Sequence, residues 1–231
     1  MSAARLDEAF LAPQVPAATM DFLWSQGWRH QGHCFFRYTH CVMAGVEQEI
    51  VPLRMDLARF QMSKSQRRVC RQNADVRWEV SPAIFDDAIH TMFARHSERF
   101  DDNKPGSLDA FFSAEPAYLP CECAAIKAWL GNELIAVSFL DIGVEAVSSV
   151  YAIFEPEYEK RSLGILTLLK EIELAQATRK RWLYQGFGTR GPSRYDYKRR
   201  FAALEGYDWE RREWRDVGDT RSSDAAPDRG F

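Results

Sequence analysis

The residues best placed for chemistry lie where an apolar, β-branched segment, AVSSVYAIF (146–154), runs on into a helix-forming one. Between them stands Arg161-Ser162-Leu163-Gly164. An Arg-x-x-Gly at a strand-to-helix turn makes an anion site, because free backbone amides and the positive end of the helix dipole face an incoming phosphate or carboxylate. A packing reading stands beside it: Gly164 lets the helix sit close on a sheet, and Arg161 is a solvated charge. Within the strand, Ser148 and Ser149 interrupt the apolar run. Successive strand residues face opposite sides, so at least one hydroxyl points into the core or a cleft and needs a partner. Asp141, at the end of the preceding apolar run, is the candidate partner; a kink with self-satisfied hydroxyls is the other reading.

Two basic clusters add to this. Arg54, Arg59, Lys64, Arg67, Arg68, Arg71 and Arg77 form the first; Arg179, Lys180, Arg181, Arg190, Arg194, Lys198, Arg199 and Arg200 form the second. The second is interleaved with Tyr184, Phe187, Tyr195, Tyr197 and Phe201, a mixture of cations and stacking faces that suits RNA. Charge runs also serve as solvated faces. With 33 acidic against 30 basic residues, a net charge of -3 excludes a uniformly basic nucleic-acid binder but not a local patch. Cys121-Glu122-Cys123 is a C-x-C without a second pair, which does not make a closed zinc site. His30, His33 and His40 with Cys34 and Cys41 fit no standard ligand spacing. Five cysteines make no disulfide framework and point to a reducing, cytoplasmic setting. No Walker loop, dinucleotide fingerprint or nucleophile elbow is present.

The elements that must position these residues follow from periodicity. A chain of 231 residues holds one large domain or two small ones, and 46% hydrophobic residues support a packed core. FLWSQGWRH predicts a helix ending at Gly27; HCFFRYTH and EQEIVPLRMDL predict strands, and SKSQRRVCRQN a helix opened by Ser63. A strand over 74–80 is followed by a helix capped by Ser81 with Pro82 in its first turn. LDAFFSA is a short helix. From Cys121 the pattern reads strand, strand, strand, helix (SLGILTLLKEIELAQAT), strand (RWLYQGF), an α+β order with a mixed sheet. Residues 1–20 read as a flexible N-terminus and 215–231 as a disordered tail. No apolar run reaches the ~18 residues that span a membrane.

Four blocks occur in order: GWRHQGHCFFRY (27–38), VPLRMDLARFQMSKSQRR (51–68), SFLDIGVEAVSSVYAIFEPEYEKRSLGILTLLKEIELA (138–175) and YDYKRRFAALEGY (195–207). Over roughly Phe22 to Tyr207 the chain resembles the aminoacyl-tRNA–protein transferases, arginyl- and leucyl-transferases that extend protein N-termini in N-degron pathways. The resemblance implies a GNAT-like mixed sheet flanked by helices over 81–214. A small N-terminal strand and helix part carrying the basic motif, 21–80, packs on it. It implies that the acceptor-stem end of a charged tRNA replaces coenzyme A, and that the aminoacyl group passes to an acceptor α-amine, commonly of a protein beginning with an acidic residue. No cofactor is needed, since the aminoacyl-tRNA ester is the donor and is already activated.

On this resemblance Ser63, Lys64, Ser65, Arg67 and Arg68 hold tRNA phosphate or an acceptor carboxylate, and Arg161, Ser162 and Gly164 take the terminal phosphates or ribose. Asp141, Ser148, Ser149 and Tyr151 line the aminoacyl pocket, with Asp141 the leading candidate for the base. Tyr184, Gln185 and Phe187, with Tyr197, Lys198 and Phe201, lie by the substrate. Ala44, Glu47 and Ile50 stand where bacterial members carry cysteines, so no bound zinc or iron–sulfur cluster is expected. Gly186-Phe187-Gly188-Thr189 replaces the family's G-Y-W-I. The donor, arginyl or leucyl, and the acceptor, whether protein, peptide or small-molecule amine, stay open; no membrane partner is expected. The alternatives are an acyl-CoA N-acyltransferase, against which Leu166 argues in place of a small residue, and a non-catalytic module binding tRNA or N-termini.

Overall fold

A computed structural model describes residues 5–43, 45–100, 104, 106–191 and 196–217. In chain order the elements are β1 (Asp7–Leu11), α1 (Ala17–Ser25), β2 (Arg29–Gln31), β3 (Cys34–Tyr38), β4 (His40–Met43), β5 (Val46–Asp56), α2 (Lys64–Gln72), β6 (Val76–Pro82) and α3 (Asp87–Ser97). There follow β7 (Cys123–Leu130), β8 (Glu133–Ile142), β9 (Ala146–Phe154), α4 (Leu163–Ala177), β10 (Trp182–Thr189), β11 (Leu204–Asp208) and β12 (Glu213–Asp216). Short 3-10 turns at Pro156–Arg161 and Asp196–Arg200 flank α4 and β11.

A nine-stranded sheet runs β12-β11-β5-β10-β9-β8-β7-β6, with β4 paired to β5. Strand β8 explains why its sequence is apolar without alternation: residues 135–141 are all buried, because helices cover both faces. On one side Leu168, Leu169, Ile172 and Ala175 of α4 pack against Ile126, Leu140, Val147 and Leu183. On the other, Ile89, Met92 and Phe93 of α3 meet Val137, Phe139 and Ile153. This is the mixed α+β sheet flanked by helices that the sequence predicts. The segment 21–80 is built into it, since β5 lies between β10 and β11.

A second sheet, β1-β3-β2, and α1 make a lobe on this core. Val15, Met20, Leu23, Trp24 and Phe35 pack there against Cys121, Ala146 and Tyr184. Asp21 fastens the lobe to the β8–β9 turn: its carboxylate accepts from Val144 N–H (3.0 Å), Glu145 N–H (2.8 Å) and Ala146 N–H (3.1 Å). Gly143 is required there, because a Cβ would lie 2.0 Å from Asp21 Oδ1. Charge-assisted bonds to backbone are among the stronger kind, so Asp21→Ala is expected to cost about 2 kcal/mol. A lower urea midpoint at unchanged m-value checks this.

Ser63 caps α2 as expected, in a reciprocal box: its Oγ accepts from Gln66 N–H and Gln66 Oε1 accepts from Ser63 N–H. Elsewhere the chain departs from its pattern. Ser81 and Pro82 end β6 rather than start a helix, because pairing with β7 continues from Val76↔Leu130 to Pro82↔Ala124; Asp86 caps α3 instead, accepting from Ile89 N–H. Of the first 20 residues, expected to be flexible, 7–11 form β1 against β3, held by Phe10 stacked on Phe35 at 5.0 Å. Of the expected tail, Arg215 and Asp216 belong to β12; residues 218–231 lie outside the described residues.

Candidate active site

Strands β9 and β10 pair in parallel over only three positions, Trp182↔Ala146, Leu183↔Val147 and Tyr184↔Ser148. Each then carries a bulge on its antiparallel neighbour. The register of β9 against β8 slips after Phe139↔Tyr151 to Leu140↔Ser149, leaving Val150 extra; that of β10 against β5 slips between Tyr184 and Gly186, leaving Gln185 extra. A bulge bends its strand and re-aims a side chain. Gly186 makes the second one feasible, at a φ of +80° that side-chain-bearing residues rarely adopt. The parted strands open a cavity of about 790 Å³ lined by Ser149–Ala152, Gln185–Thr189, the first residues of α4 and Arg29 of the lobe.

The inner end of this cavity is ionisable. Glu171, on the sheet-facing side of α4, is 1% exposed. Its Oε1 accepts from Ser138 Oγ and, at 3.2 Å, from Ser149 Oγ; its Oε2 has no hydrogen-bond partner among the described residues. Burial pushes this carboxyl up to about 7, against the opposing pull of the two hydroxyls, Lys198 and Arg29. Burial, then Arg29, brings the Lys198 ammonium down to about 7, opposed by Glu171. Lys198 Nζ donates to the carbonyl of the bulged Gln185 at 2.5 Å. Arg29 spans the base of β9, donating to Ser148 Oγ at 2.7 Å and to the Ser149 carbonyl at 2.6 Å. Gln185 is 3% exposed and lines the cavity, yet among the described residues neither its Oε1 nor its Nε2 has a partner. A buried carboxamide with both groups unpaired is costly unless something in the cavity meets it.

The walls are aromatic. Phe111 stacks on Tyr151 at 4.3 Å; Phe154 and Phe100 flank His96 at 4.6 and 5.5 Å. His96 Nδ1 accepts from Phe154 N–H at 3.2 Å, and burial lowers its pKa to about 4, so the ring is neutral near pH 7. Opposite, Phe187 meets Tyr38 edge-on at 5.2 Å. At the rim Ser162, Leu163, Gly164 and Ile165 bring the start of α4 to the cavity. The basic helix α2 is moored beside it: Gln72 Nε2 donates to the Lys160 carbonyl (3.1 Å) and Asn73 Nδ2 to the Arg161 carbonyl (3.0 Å). Chemically, this is a carboxyl and an amine, both brought near neutrality by burial, lining one cavity with the first turn of a helix at its edge.

Of the residues singled out from sequence, Ser149, Tyr151, Ser162, Gly164, Gln185, Phe187, Tyr197 and Lys198 line this cavity. Ser148 stands behind it, its hydroxyl held by Arg29 rather than Asp141. Asp141 lies outside the lining, buried against His30 at 2.8 Å. Arg161 is turned to Asp75, at 2.9 and 3.0 Å, with no place in the lining. Tyr184 and Phe201 are core, packed with Trp24 and with Phe60. Ser63 and Ser65 serve the start of α2, while Lys64, Arg67 and Arg68 are exposed on it. Arg194 and Tyr195 fall outside the described residues. Part of the basic clusters is spent in internal contacts. Arg54 sits between Trp182 (3.6 Å) and Trp214 (4.5 Å), Arg59 on Asp216 (2.6 Å), and Arg190 on Glu49 (2.8 Å). Sequence reading passed over Glu171, Arg29 and His96. For Glu171 the signal exists: it shares a helix face with Leu168, Ile172 and Ala175.

A family model described as the C terminus of arginine-tRNA-protein transferase matches residues 86–208. The aspartate/glutamate leucyltransferase of Stenotrophomonas maltophilia is 30% identical over 200 residues, 83% of this chain and 77% of the relative. That of Marinobacter nauticus is 31% identical over 188 residues, 79% and 76% of the two. Among solved structures FemX aligns at 10% identity over 84% of this chain and 65% of that one, with a TM-score of 0.49. A GCN5-related glucosamine N-acetyltransferase region of a fungal β-N-acetylglucosaminidase aligns at 12% identity over 82% and 21%, with a TM-score of 0.44. At such scores neither bears on function.

Proposed function

Because the chain belongs to the arginine-tRNA-protein transferase family, we propose that it moves leucine from leucyl-tRNA to the α-amine of a protein N-terminus beginning with aspartate or glutamate. The bacterial relatives' names support leucine over arginine and the acidic acceptor. So does the cavity, where a leucyl side chain suits walls of Phe100, Phe111 and Phe154. The observation that carries the reading is that Glu171 Oε2 and the Gln185 carboxamide, both without partners among the described residues, line one cavity with Lys198 and the start of α4.

In this scheme the basic face of α2 and the amides opening α4 hold the phosphates of the tRNA end. The acceptor nitrogen attacks the ester carbonyl carbon; a C–N bond forms, and the ester C–O bond breaks to free the terminal ribose hydroxyl. The attacking group is the free amine, and Glu171 takes the one proton its nitrogen must shed as the C–N bond forms, work suited to a carboxyl near 7. Lys198, protonated in that state, stabilises the oxyanion of the tetrahedral intermediate and returns a proton to the leaving oxygen. The aminoacyl-tRNA ester already carries the activation, so this scheme draws on no further cofactor for the transfer itself. No helix among the described residues is long and apolar enough to cross a membrane, and we place the reaction in the cytoplasm with its charged tRNA.

Purified protein, radiolabelled leucyl- or arginyl-tRNA and peptides beginning with Asp, Glu or Ala test this. Label should pass from leucyl-tRNA to the acidic peptides. Transfer only from arginyl-tRNA overturns the donor assignment, and turnover with acetyl-CoA alone overturns the reading. Gly164 separates the two readings of the Arg-x-x-Gly turn. A Cβ there meets only a Phe154 ring carbon at 3.6 Å, ordinary contact, so close packing does not require glycine. Gly164→Ala should therefore keep or slightly raise Tm, by helix propensity, while raising KM for leucyl-tRNA severalfold.

A further inference from the structure

Where His30 reaches the cavity lining, one buried cluster gathers an imidazole, a carboxylate and a thiol. His30 Nδ1 lies 3.0 Å from the Gly32 carbonyl, so Nδ1 carries a proton and donates it. The other nitrogen, Nε2, faces Asp141 Oδ2 at 2.8 Å with both side chains buried. Nε2, the free ring position, is thus aimed at a carboxylate inside the fold, the arrangement of a histidine and a carboxylate that share a ligand. Cys121 completes the group: the ligand atoms of His30, Cys121 and Asp141 all lie within 4.8 Å of one another. Cys123, two residues on, sets a second buried thiol against the same carboxylate.

We propose that His30 Nε2, Cys121 Sγ and Asp141 bind a zinc-class divalent cation, with Cys123 or a water in the fourth position. Imidazole nitrogen, thiolate sulfur and carboxylate oxygen are zinc donors, at about 2.0, 2.3 and 2.0 Å. Those lengths put tetrahedral donors about 3.3–3.7 Å apart; binding would open the 2.8 Å His30–Asp141 contact and draw in a group whose atoms lie within 4.8 Å of one another. The bond from Nδ1–H to the Gly32 carbonyl is the outer contact that fixes a ligating histidine's tautomer and ring plane. The ligands come from both parts of the fold. His30 belongs to β2 of the lobe, whereas Asp141 ends β8 and Cys121 precedes β7 of the large sheet. The ion would thus clamp the lobe to the core one residue from Arg29, which reaches the cavity. A C-x-C lacking a second pair does not make a zinc site by spacing alone; here the missing ligands are supplied by tertiary structure.

Chelator-treated full-length protein dialysed against cobalt(II) tests the proposal. One cobalt per chain is expected, with tetrahedral visible bands and thiolate charge-transfer absorption, and Tm should rise with the metal. Cys121→Ser should abolish the charge-transfer band, and His30→Gln should weaken affinity at least tenfold, whereas Cys34→Ser changes neither. Folded wild-type protein that takes up no stoichiometric cobalt overturns the site, as does a charge-transfer band that survives in folded Cys121→Ser. Should Cys121→Ser not fold, the wild-type spectrum decides: cobalt without a thiolate band refutes the assignment.

Discussion

Glu171→Gln is expected to lower kcat/KM for leucyl transfer by about 10²–10⁴-fold while leaving a fold at least as stable as the parent. Gln keeps an oxygen to accept from Ser138 and Ser149, so the local hydrogen bonds survive and only the base is lost. The pH profile identifies the cause. Wild-type kcat/KM should climb through an apparent pKa of about 7 as Glu171 ionises, with Arg29 and Lys198 the charged groups facing it, and this limb should vanish in the variant.

Stability carries an independent signature. The folded-state carboxyl sits near 7 against an ordinary 4.5, so between those values the folded protein holds a proton that the unfolded chain releases. Wild-type stability from this group is full below pH 4.5 and is lost as pH rises through 7, a change of about 3 kcal/mol at most. Lys198 acts in the same direction on the comparison. Without Glu171 its ammonium falls further, so the variant gains stability from a lower pH than wild type does. The Tm of Glu171→Gln minus that of wild type should therefore grow from pH 4.5 to 7 and then level off. An inactive variant that is stabilised only above pH 5 is hard to reconcile with a purely structural glutamate. A flat difference across this range would remove Glu171 as a group near neutrality.

What was legible in advance divides along a physical line. Local signals carried over: the capping box of Ser63 and Gln66, the helix stop at Gly27, and the apolar runs of β7 to β9 all rest on contacts within a few residues. The hairpin of β11 and β12 escaped because its turn contains no glycine, and Arg212 takes the positive φ of 56° itself. Glu171 was readable as one carboxylate on an apolar helix face, but an amphipathic pattern averages over such an exception. Gln185 was not readable in its role. Strict alternation gives its face, while the bulge that leaves it extra depends on the register of β10 against β5. The roles of Arg29 and His30 were hidden for a stronger reason. Each finds its partners more than 100 positions away, through the packing of the lobe on the core. The charge runs misled in the opposite way, because they report composition and not where each cation finds a carboxylate.

That sorting of cations sharpens the second large effect, on tRNA binding. Once Arg54, Arg59 and Arg190 are assigned to internal pairs, the exposed positive surface moored to the cavity rim is α2, with Lys64, Arg67, Arg68 and Arg71. Arg67→Ala/Arg68→Ala is expected to weaken tRNA binding roughly tenfold at physiological salt and to reduce the slope of log K against log salt by about 1.4–1.8, as two lost phosphate contacts require. The loss should be equal for leucyl-, arginyl- and uncharged tRNA, because phosphates carry no sequence information. It should appear as a raised KM for leucyl-tRNA with kcat unchanged at saturation, since neither side chain reaches Glu171 or Lys198. The Ser63 and Gln66 box stays intact, so Tm should hold. Fluorescence anisotropy across a salt series reads all of this. An unchanged slope at unchanged Tm would take α2 off the tRNA path and leave the opening of α4 as the anion site of the cleft.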